Sequence, residues 1–297
     1  MAHLPVLLQS TIESLNLKPG SRVLDATLGN GGHALLLSEK IGPSGLLVGL
    51  DADAESLKRA TATLKNSPTP THLIQANFRD LEKVMTEAKL GPFEAILFDL
   101  GWSSDQLEMS GRGFSFLRDE PLLMTLNNQP LADDTTAYTI VNDWSEESLS
   151  TILTGFGEER FAKAIAKAIV TARAEKPIKS TFDLVAIIEA SVPIWYQKRK
   201  INSATKTFQA LRMAVNSELD SLSAGLVGAW NVLSPGGRLA VISFHSLEAR
   251  LVKNFFRAKV ISAEASLVSK HVIKPERTEV LSNPRSRSAQ LRVLKKN

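Results

Sequence analysis

The sequence predicts an α/β fold in which a parallel β-sheet, covered by helices on both faces, is interrupted by a mostly helical insertion. Three observations carry that prediction. Short apolar runs alternate with helical patterns through the first third of the chain. The alternation then gives way to a long stretch with helical periodicity alone. It resumes at Leu233 with a Pro-Gly-Gly turn and a further apolar, β-branched run.

Taken in chain order, the first strand is Arg22–Asp25, which ends in an acid. Gly29, Gly31 and Gly32 follow, and glycine permits both a sharp turn and close approach of the backbone to a ligand. A helical pattern over Gly32–Ile41 leads to a second strand, Leu46–Asp51, also ending in an acid. Helical patterns at residues 54–64 and 81–89 separate further strands at 72–75 and 95–100. From 102 to 128, glycines, serines and aromatics follow without a clear period. Helical segments are expected at 146–154, 158–174, 181–190 and 206–226, with no comparable strand candidate between 102 and 206. A fifth strand in the 233–245 run, a helix at 247–258 and a final strand at 289–294 complete the sheet. Residues 1–107 and 207–297 are therefore expected to form a discontinuous sheet domain, and 108–206 a helical insertion.

Open α/β sheets bind ligands beyond the carboxyl ends of their strands. Residues 29–33, Asp51, Asn77, Phe78, 99–102 and 243–246 all fall at that edge. An acid ending the second strand can accept hydrogen bonds from both ribose hydroxyls, so an adenosine derivative is expected. Two kinds remain open. Gly29-x-Gly31-x-x-Ala34 satisfies the dinucleotide pattern of nicotinamide oxidoreductases, whereas Asp25 just before the glycine turn suits the methionine end of S-adenosylmethionine.

Composition removes several function classes. No apolar stretch is long enough to span a bilayer, and the start Met-Ala-His-Leu-Pro lacks the pattern of a signal peptide, so a cytoplasmic location without membrane attachment is expected. The chain has no cysteine. That excludes disulfides and thiolate metal sites, and also methylation at carbon 5 of a pyrimidine by the usual cysteine addition. An exocyclic amine, a ring nitrogen or a ribose oxygen stays within reach. No His/Asp/Glu group shows metal-ligand spacing, so no metal is expected. The formal net charge is only +4, yet residues 270–296 carry eight Lys/Arg against Glu276 and Glu279, a bias suited to phosphates.

The reactive loop is expected after the fourth strand, in Leu97-Phe-Asp-Leu-Gly-Trp-Ser-Ser104. The exocyclic amine of cytosine or adenine is a poor nucleophile because its lone pair is delocalised into the ring. Oxygen acceptors that hold its N–H bonds, together with in-line placement against a methyl donor, overcome that. Asp99 is the candidate acceptor and catalytic residue, and Trp102 the candidate stacking partner for the base. His33 at the helix entrance and His245 at the end of the fifth strand lie near the same edge.

The runs Gly-Asn-Gly-Gly-His at 29–33, Phe-Asp-Leu-Gly-Trp-Ser-Ser-Asp-Gln at 98–106 and Arg-Gly-Phe-Ser-Phe at 112–116 are joined by four more. These are Gly-Glu-Glu-Arg at 157–160, Thr-Phe-Gln-Ala-Leu-Arg at 207–212, Phe-His-Ser-Leu-Glu-Ala-Arg at 244–250 and Asn-Pro-Arg-Ser-Arg-Ser-Ala-Gln-Leu-Arg at 283–292. In this order, across nearly the whole chain, they closely resemble the bacterial ribosomal RNA small subunit methyltransferase H family, formerly called MraW. The resemblance implies a Rossmann-like S-adenosylmethionine-dependent methyltransferase sheet interrupted by a helical substrate domain. It implies methyl transfer from S-adenosyl-L-methionine to the N4 amine of a cytidine in the decoding region of 16S rRNA, with naked RNA or the small ribosomal subunit as partner. The family's cofactor contacts fall on Gly31, Gly32, His33, Asp51, Phe78, Asp99 and Gln106. Asp51 would hold the ribose, Phe78 would lie near the adenine, and Asp99 near the methionine moiety. Trp102, Arg112, Lys206, Arg212, Arg285 and Arg287 are the candidate RNA contacts.

The chain departs from the family pattern in places. Trp102 and Asp105 stand where the family has Val and Pro, and Leu122-Leu-Met-Thr-Leu-Asn127 replaces Leu-Asp-Met-Arg-Met-Asp, so Leu123, Thr125 and Asn127 stand where two acids and an arginine are usual. Asn202-Ser-Ala-Thr-Lys-Thr207 retains a cation at Lys206. A non-catalytic RNA-binding ribosome assembly factor that kept the cofactor fold is the alternative these changes leave open.

Overall fold

The computed structural model describes residues 4–101, 110–126, 130–131 and 133–297. Trp102, Asp105, Gln106 and Asn127 lie outside the described residues. The chain divides into two compact units, one formed by Met1–Gly101 with Leu219–Asn297 and the other by Trp102–Glu218.

The first unit holds seven strands: β1 (Arg22–Asp25), β2 (Leu46–Asp51), β3 (Thr71–Gln75), β4 (Phe93–Asp99), β5 (Leu233–Ser243), β6 (Ala265–Leu267) and β7 (Gln290–Lys296). Their spatial order is β3-β2-β1-β4-β5-β7-β6. Pairings among β1 to β5 are parallel, with Val23 opposite both Leu47 and Ala95, and Leu97 opposite Ala240. The parallel pairing expected of the early strands holds, while β7, whose direction the sequence left open, runs antiparallel between β5 and β6. Hydrophobic periodicity reports which faces of a strand are buried, and it is silent on the strand's direction. Only the end of the basic C-terminal stretch is built into the sheet, as β7: Leu291, Val293 and Leu294 are buried, and Lys296 Nζ donates to the carbonyls of Trp230 and Leu233.

Successive side chains of a strand point to opposite faces, and the core divides accordingly. Leu24, Val48, Ile96 and Val241 pack on one face, and Val23, Leu47, Leu97 and Ile242 on the other. α4 (Leu81–Glu87), α11 (Glu218–Val232) and α12 (Ser246–Ile261) cover the first face through Met85, Leu226 and Phe256. α1 (Leu8–Leu15), α2 (Gly32–Ile41) and α3 (Ala54–Thr63) cover the second through Ile12, Leu37 and Ala60. Coverage on both faces explains why β1, β2 and β4 read as nearly continuous apolar runs.

The second unit is helical: α5 (Ala137–Asp143), α6 (Glu146–Gly155), α7 (Ala162–Glu175), α8 (Thr181–Ser191), α9 (Ile194–Gln197) and α10 (Thr205–Asn216). Ile140, Leu153, Ile165, Ile169, Leu184 and Leu211 meet in its core. Thr136 and Ser180 begin α5 and α8 with capping boxes, and Ser145 caps α6. The expected helix at 158–174 starts only at Ala162, because Glu158 is left-handed at φ +47°. The expected helix at 206–226 is two helices, broken where Ser217 turns left-handed at φ +46°. α10 packs Phe208, Ala210 and Leu211 into the helical core, so the second boundary falls after residue 218, not after 206. α1, α5, α9, β6 and α13 (Arg277–Ser282) have no counterpart in the sequence reading; each is too short for its period to register. Among the described residues, no helix is long and apolar enough to cross a membrane.

Candidate active site

The carboxyl ends of β1, β2 and β4 each present an aspartate, and the turn after β1 ties the three together. Asp25 accepts from the Thr27 amide at 3.1 Å, and the Thr27 hydroxyl accepts from the Asp99 amide at 2.6 Å. Gly29 donates its amide to Asp51 at 2.8 Å, and the same carboxylate takes the Asp53 amide, also at 2.8 Å. Gly31 caps α2 at φ +81°, a left-handed conformation that strains any side-chain-bearing residue, and a Cβ on Gly32 would collide with Pro5. Arg59 steadies the loop from α3 by donating to the Asn30 side chain at 2.8 Å.

His33 is buried in the first turn of α2. Its Nε2 lies 3.1 Å from the Val6 carbonyl, which places the proton there and turns Nδ1 toward Asp99 Oδ2 at 3.5 Å. The other Asp99 oxygen, Oδ1, is buried and has no hydrogen-bond partner among the described residues. Burial, and second the charge of Asp25, push the Asp99 carboxyl up to about 7. Asp25 is likewise pushed up to about 7, chiefly by burial. Asp51 rises to about 6 for the same first reason, opposed by the two amides that it accepts. The Gly101 amide opposes the rise of Asp99, and a buried oxygen left without a partner costs free energy until a donor reaches it.

The edge therefore brings together Gly31, Gly32, His33, Asp51 and Asp99, with Phe78 just beyond β3. Phe78 sits edge-on to Phe98 with ring centroids 5.6 Å apart, leaving part of its ring accessible. Gln106 lies outside the described residues, as does Trp102. Sequence reasoning missed Thr27, which joins Asp25 to Asp99, and Glu248. Glu248 is buried, accepts the amides of Phe244 and His245, and shares a capping box with His245 at the start of α12. An acid three residues after a polar residue at a helix start was the available signal for Glu248.

The candidate RNA contacts divide. Arg285 and Arg287 are exposed on the 3₁₀ segment Pro284–Ser288. Within the helical unit, Arg112 is buried, stands 5.3 Å over the Phe114 ring, and donates Nη1 to the carbonyls of Thr125 and Leu126 at 2.9 and 2.6 Å. Arg212 pairs with Glu218 at 2.7 Å, and Lys206 donates to the Glu158 carbonyl at 2.5 Å. In the altered 122–127 run, Leu122 and Met124 enter the core and Thr125 is buried. Asn216 holds that backbone by donating to the Met124 carbonyl and accepting from the Leu126 amide.

The residues fit an adenosine-bearing sulfonium cofactor: Asp51 offers an acid for a ribose, and the turn beside it, tied to Asp51 through the Gly29 amide, has open space where a Cβ of Gly29 would stand. The model of the MraW methylase family matches residues 1–297. The ribosomal RNA small subunit methyltransferase H of Syntrophus aciditrophicus is 42% identical over 305 residues, covering 98% of this chain and 96% of its own length. That of Symbiobacterium thermophilum is 42% identical over 310 residues, covering 99% and 96%. That of Dictyoglomus thermophilum is 44% identical over 292 residues, covering 98% and 95%. S-adenosyl-L-methionine is the methyl donor. With the match running from end to end, the chain belongs to the MraW methylase family.

Proposed function

We propose that this protein methylates the N4 amine of a cytidine in the decoding region of 16S rRNA. Similarity across the whole chain to proteins named ribosomal RNA small subunit methyltransferase H supports the substrate. The observation that carries the chemistry is Asp99, an aspartate at the end of β4 with one buried oxygen that has no hydrogen-bond partner among the described residues.

The cofactor supplies an electrophilic methyl group on a sulfonium sulfur. Asp51 holds the ribose diol, with the Gly29 and Asp53 amides fixing its carboxylate. Gly31 and Gly32 would let the backbone lie close to the cofactor, and Phe78 would lie near the adenine. Asp99 accepts an N–H of the cytosine amine through Oδ1, which orients the lone pair, while its other oxygen faces His33 Nδ1. Positioning of this kind is worth about 7–11 kcal/mol in favourable systems, so no strong general base is required. The absence of cysteine fits an amine acceptor in preference to carbon 5. Arg285, Arg287 and Lys206 are the basic groups proposed to meet the RNA backbone.

Tritiated methyl transfer to undermethylated small subunits, followed by mass mapping of the modified nucleoside, tests the reading. Label in N4-methylcytidine is expected. Cofactor binding with no methyl incorporated would establish the assembly-factor alternative instead.

A further inference from the structure

The helical unit carries a surface that the site above does not use. α9 is a single turn, Ile194-Trp-Tyr-Gln197, and it runs directly into Lys198-Arg-Lys200. Tyr196 anchors that turn. It is buried, and its hydroxyl lies 2.9 and 2.8 Å from the two oxygens of Glu159, which is buried as well. Burial, and after it the Glu159 carboxylate, push the phenol up to about 12, so the hydroxyl remains a donor at any physiological pH. Phe161 packs edge-on to Tyr196 with centroids 4.8 Å apart and holds the turn from the side.

This anchoring leaves the next ring in water. Trp195 is 52% exposed, although it is held edge-on by Tyr196 at 5.7 Å and by Phe161 at 5.9 Å. The Arg160 guanidinium lies 5.4 Å over the Trp195 ring, and that of Arg199 lies 5.0 Å over Tyr196. Arg160, Lys198, Arg199 and Lys200 are all exposed. Among the described residues, none of the four has an Asp or Glu within ion-pair distance. The adjoining acid, Glu159, is taken up beneath them by Tyr196.

Core packing accounts for Phe161 and Tyr196. It does not account for an indole held half in solvent, with Arg160 over its ring and the exposed cations Lys198, Arg199 and Lys200 following it in the chain. That combination is complementary to a flexible polyanion whose flat groups are free to stack, which describes single-stranded nucleic acid. A duplex keeps its base faces stacked inside and could use only the cations.

We propose that Arg160, Trp195 and the 198–200 run bind single-stranded RNA, with one base stacked on Trp195 and the flanking phosphates against the four cations. The inference rests on rRNA being the substrate, and adds where the helical unit grips it. The same residue types interleave in the sequence as Ile-Trp-Tyr-Gln-Lys-Arg-Lys, but only the structure separates the buried tyrosine from the exposed tryptophan.

The test uses the full-length protein and a fluorescein-labelled single-stranded oligoribonucleotide of about twelve nucleotides, within usual site sizes. Fluorescence anisotropy is read at several salt concentrations, and S-adenosylhomocysteine binding checks that each variant is folded. Trp195→Ala should bind the probe about tenfold more weakly, with Trp195→Phe recovering most of the loss. Replacing Lys198, Arg199 and Lys200 together by alanine should flatten the salt slope by about 2, from roughly 0.7 per phosphate contact. If the wild type methylates small subunits while both variants bind the probe as the wild type does, the surface is overturned and the substrate reading stands. If the wild type neither binds RNA nor methylates subunits, the substrate reading fails and takes the surface with it. Normal probe binding by Trp195→Ala combined with weakened binding to assembled subunits would identify a ribosomal protein as the partner and overturn the RNA assignment.

Discussion

At the carboxyl edge of the sheet, Asp25, Asp51 and Asp99 are drawn out of water and held largely by backbone amides and a threonine hydroxyl. In the helical unit the arrangement is reversed: Glu159 is the buried acid, satisfied by a tyrosine, while Arg160, Lys198, Arg199 and Lys200 are exposed and, among the described residues, have no acid within ion-pair distance. The two arrangements suit different ligands. Desolvated carboxyls whose protonation falls near neutrality are directional acceptors for hydroxyl and amine hydrogens. Solvated cations attract phosphates over nanometre distances with little directionality, and salt screens them.

The largest effect should come from breaking the acid side. Asp99→Ala should lower single-turnover methyl transfer by roughly 10²–10³-fold, the range seen when one aligned group at a reacting centre is removed. Cofactor affinity should fall by much less, as measured by calorimetric titration with S-adenosylhomocysteine. Next in size is a break in the helical unit's own core: Ile165→Ala should destabilise that unit by about 2–5 kcal/mol in denaturant unfolding, with cofactor affinity retained by the sheet unit. Asp51→Ala should weaken S-adenosylhomocysteine by about 1.5–3 kcal/mol, because it loses charged acceptors and frees the Gly29 amide.

The pH response sharpens the comparison further. Folded Asp25 and Asp99 hold their protons up to about 7, against 3.8 for the ordinary group, so between those values the folded state carries more protons. Their contribution to stability is full below the ordinary value and is lost as pH rises through about 7. Thermal unfolding should therefore show the midpoint falling from pH 5 to pH 8, and Asp25→Asn should flatten that fall. Because the ionised Asp99 is the better acceptor, single-turnover rate should rise over the same interval, the two carboxyls titrating as a pair. The smallest effect is expected from Lys206→Ala, about 0–1 kcal/mol in unfolding, since its bond to the Glu158 carbonyl is exposed.

β1, β2 and α2 were legible to the residue, because strict periodicity, an acid at each strand end and a glycine turn all agree there. Asp25, Asp51 and Asp99 could be placed on one edge from strand ends alone. Strand direction was a different matter. β7 was placed from its apolar run, but its antiparallel entry between β5 and β6 was not, since alternation is the same in either direction. The break at Ser217 was also hidden, because a helical apolar pattern continues across it and a single left-handed residue leaves the period nearly intact.

The sequence by itself determined which residues end the strands, where glycine frees the backbone, and which chemistry a cysteine-free chain can reach. These are local or compositional properties, carried by a few neighbouring residues. Only the tertiary structure decided that one Asp99 oxygen has no partner among the described residues while His33 faces the other, that Arg112 donates to two carbonyls, and that Trp195 is exposed while its neighbour Tyr196 is not. Burial, partner and protonation state depend on groups that arrive from distant parts of the chain. No window of sequence contains them.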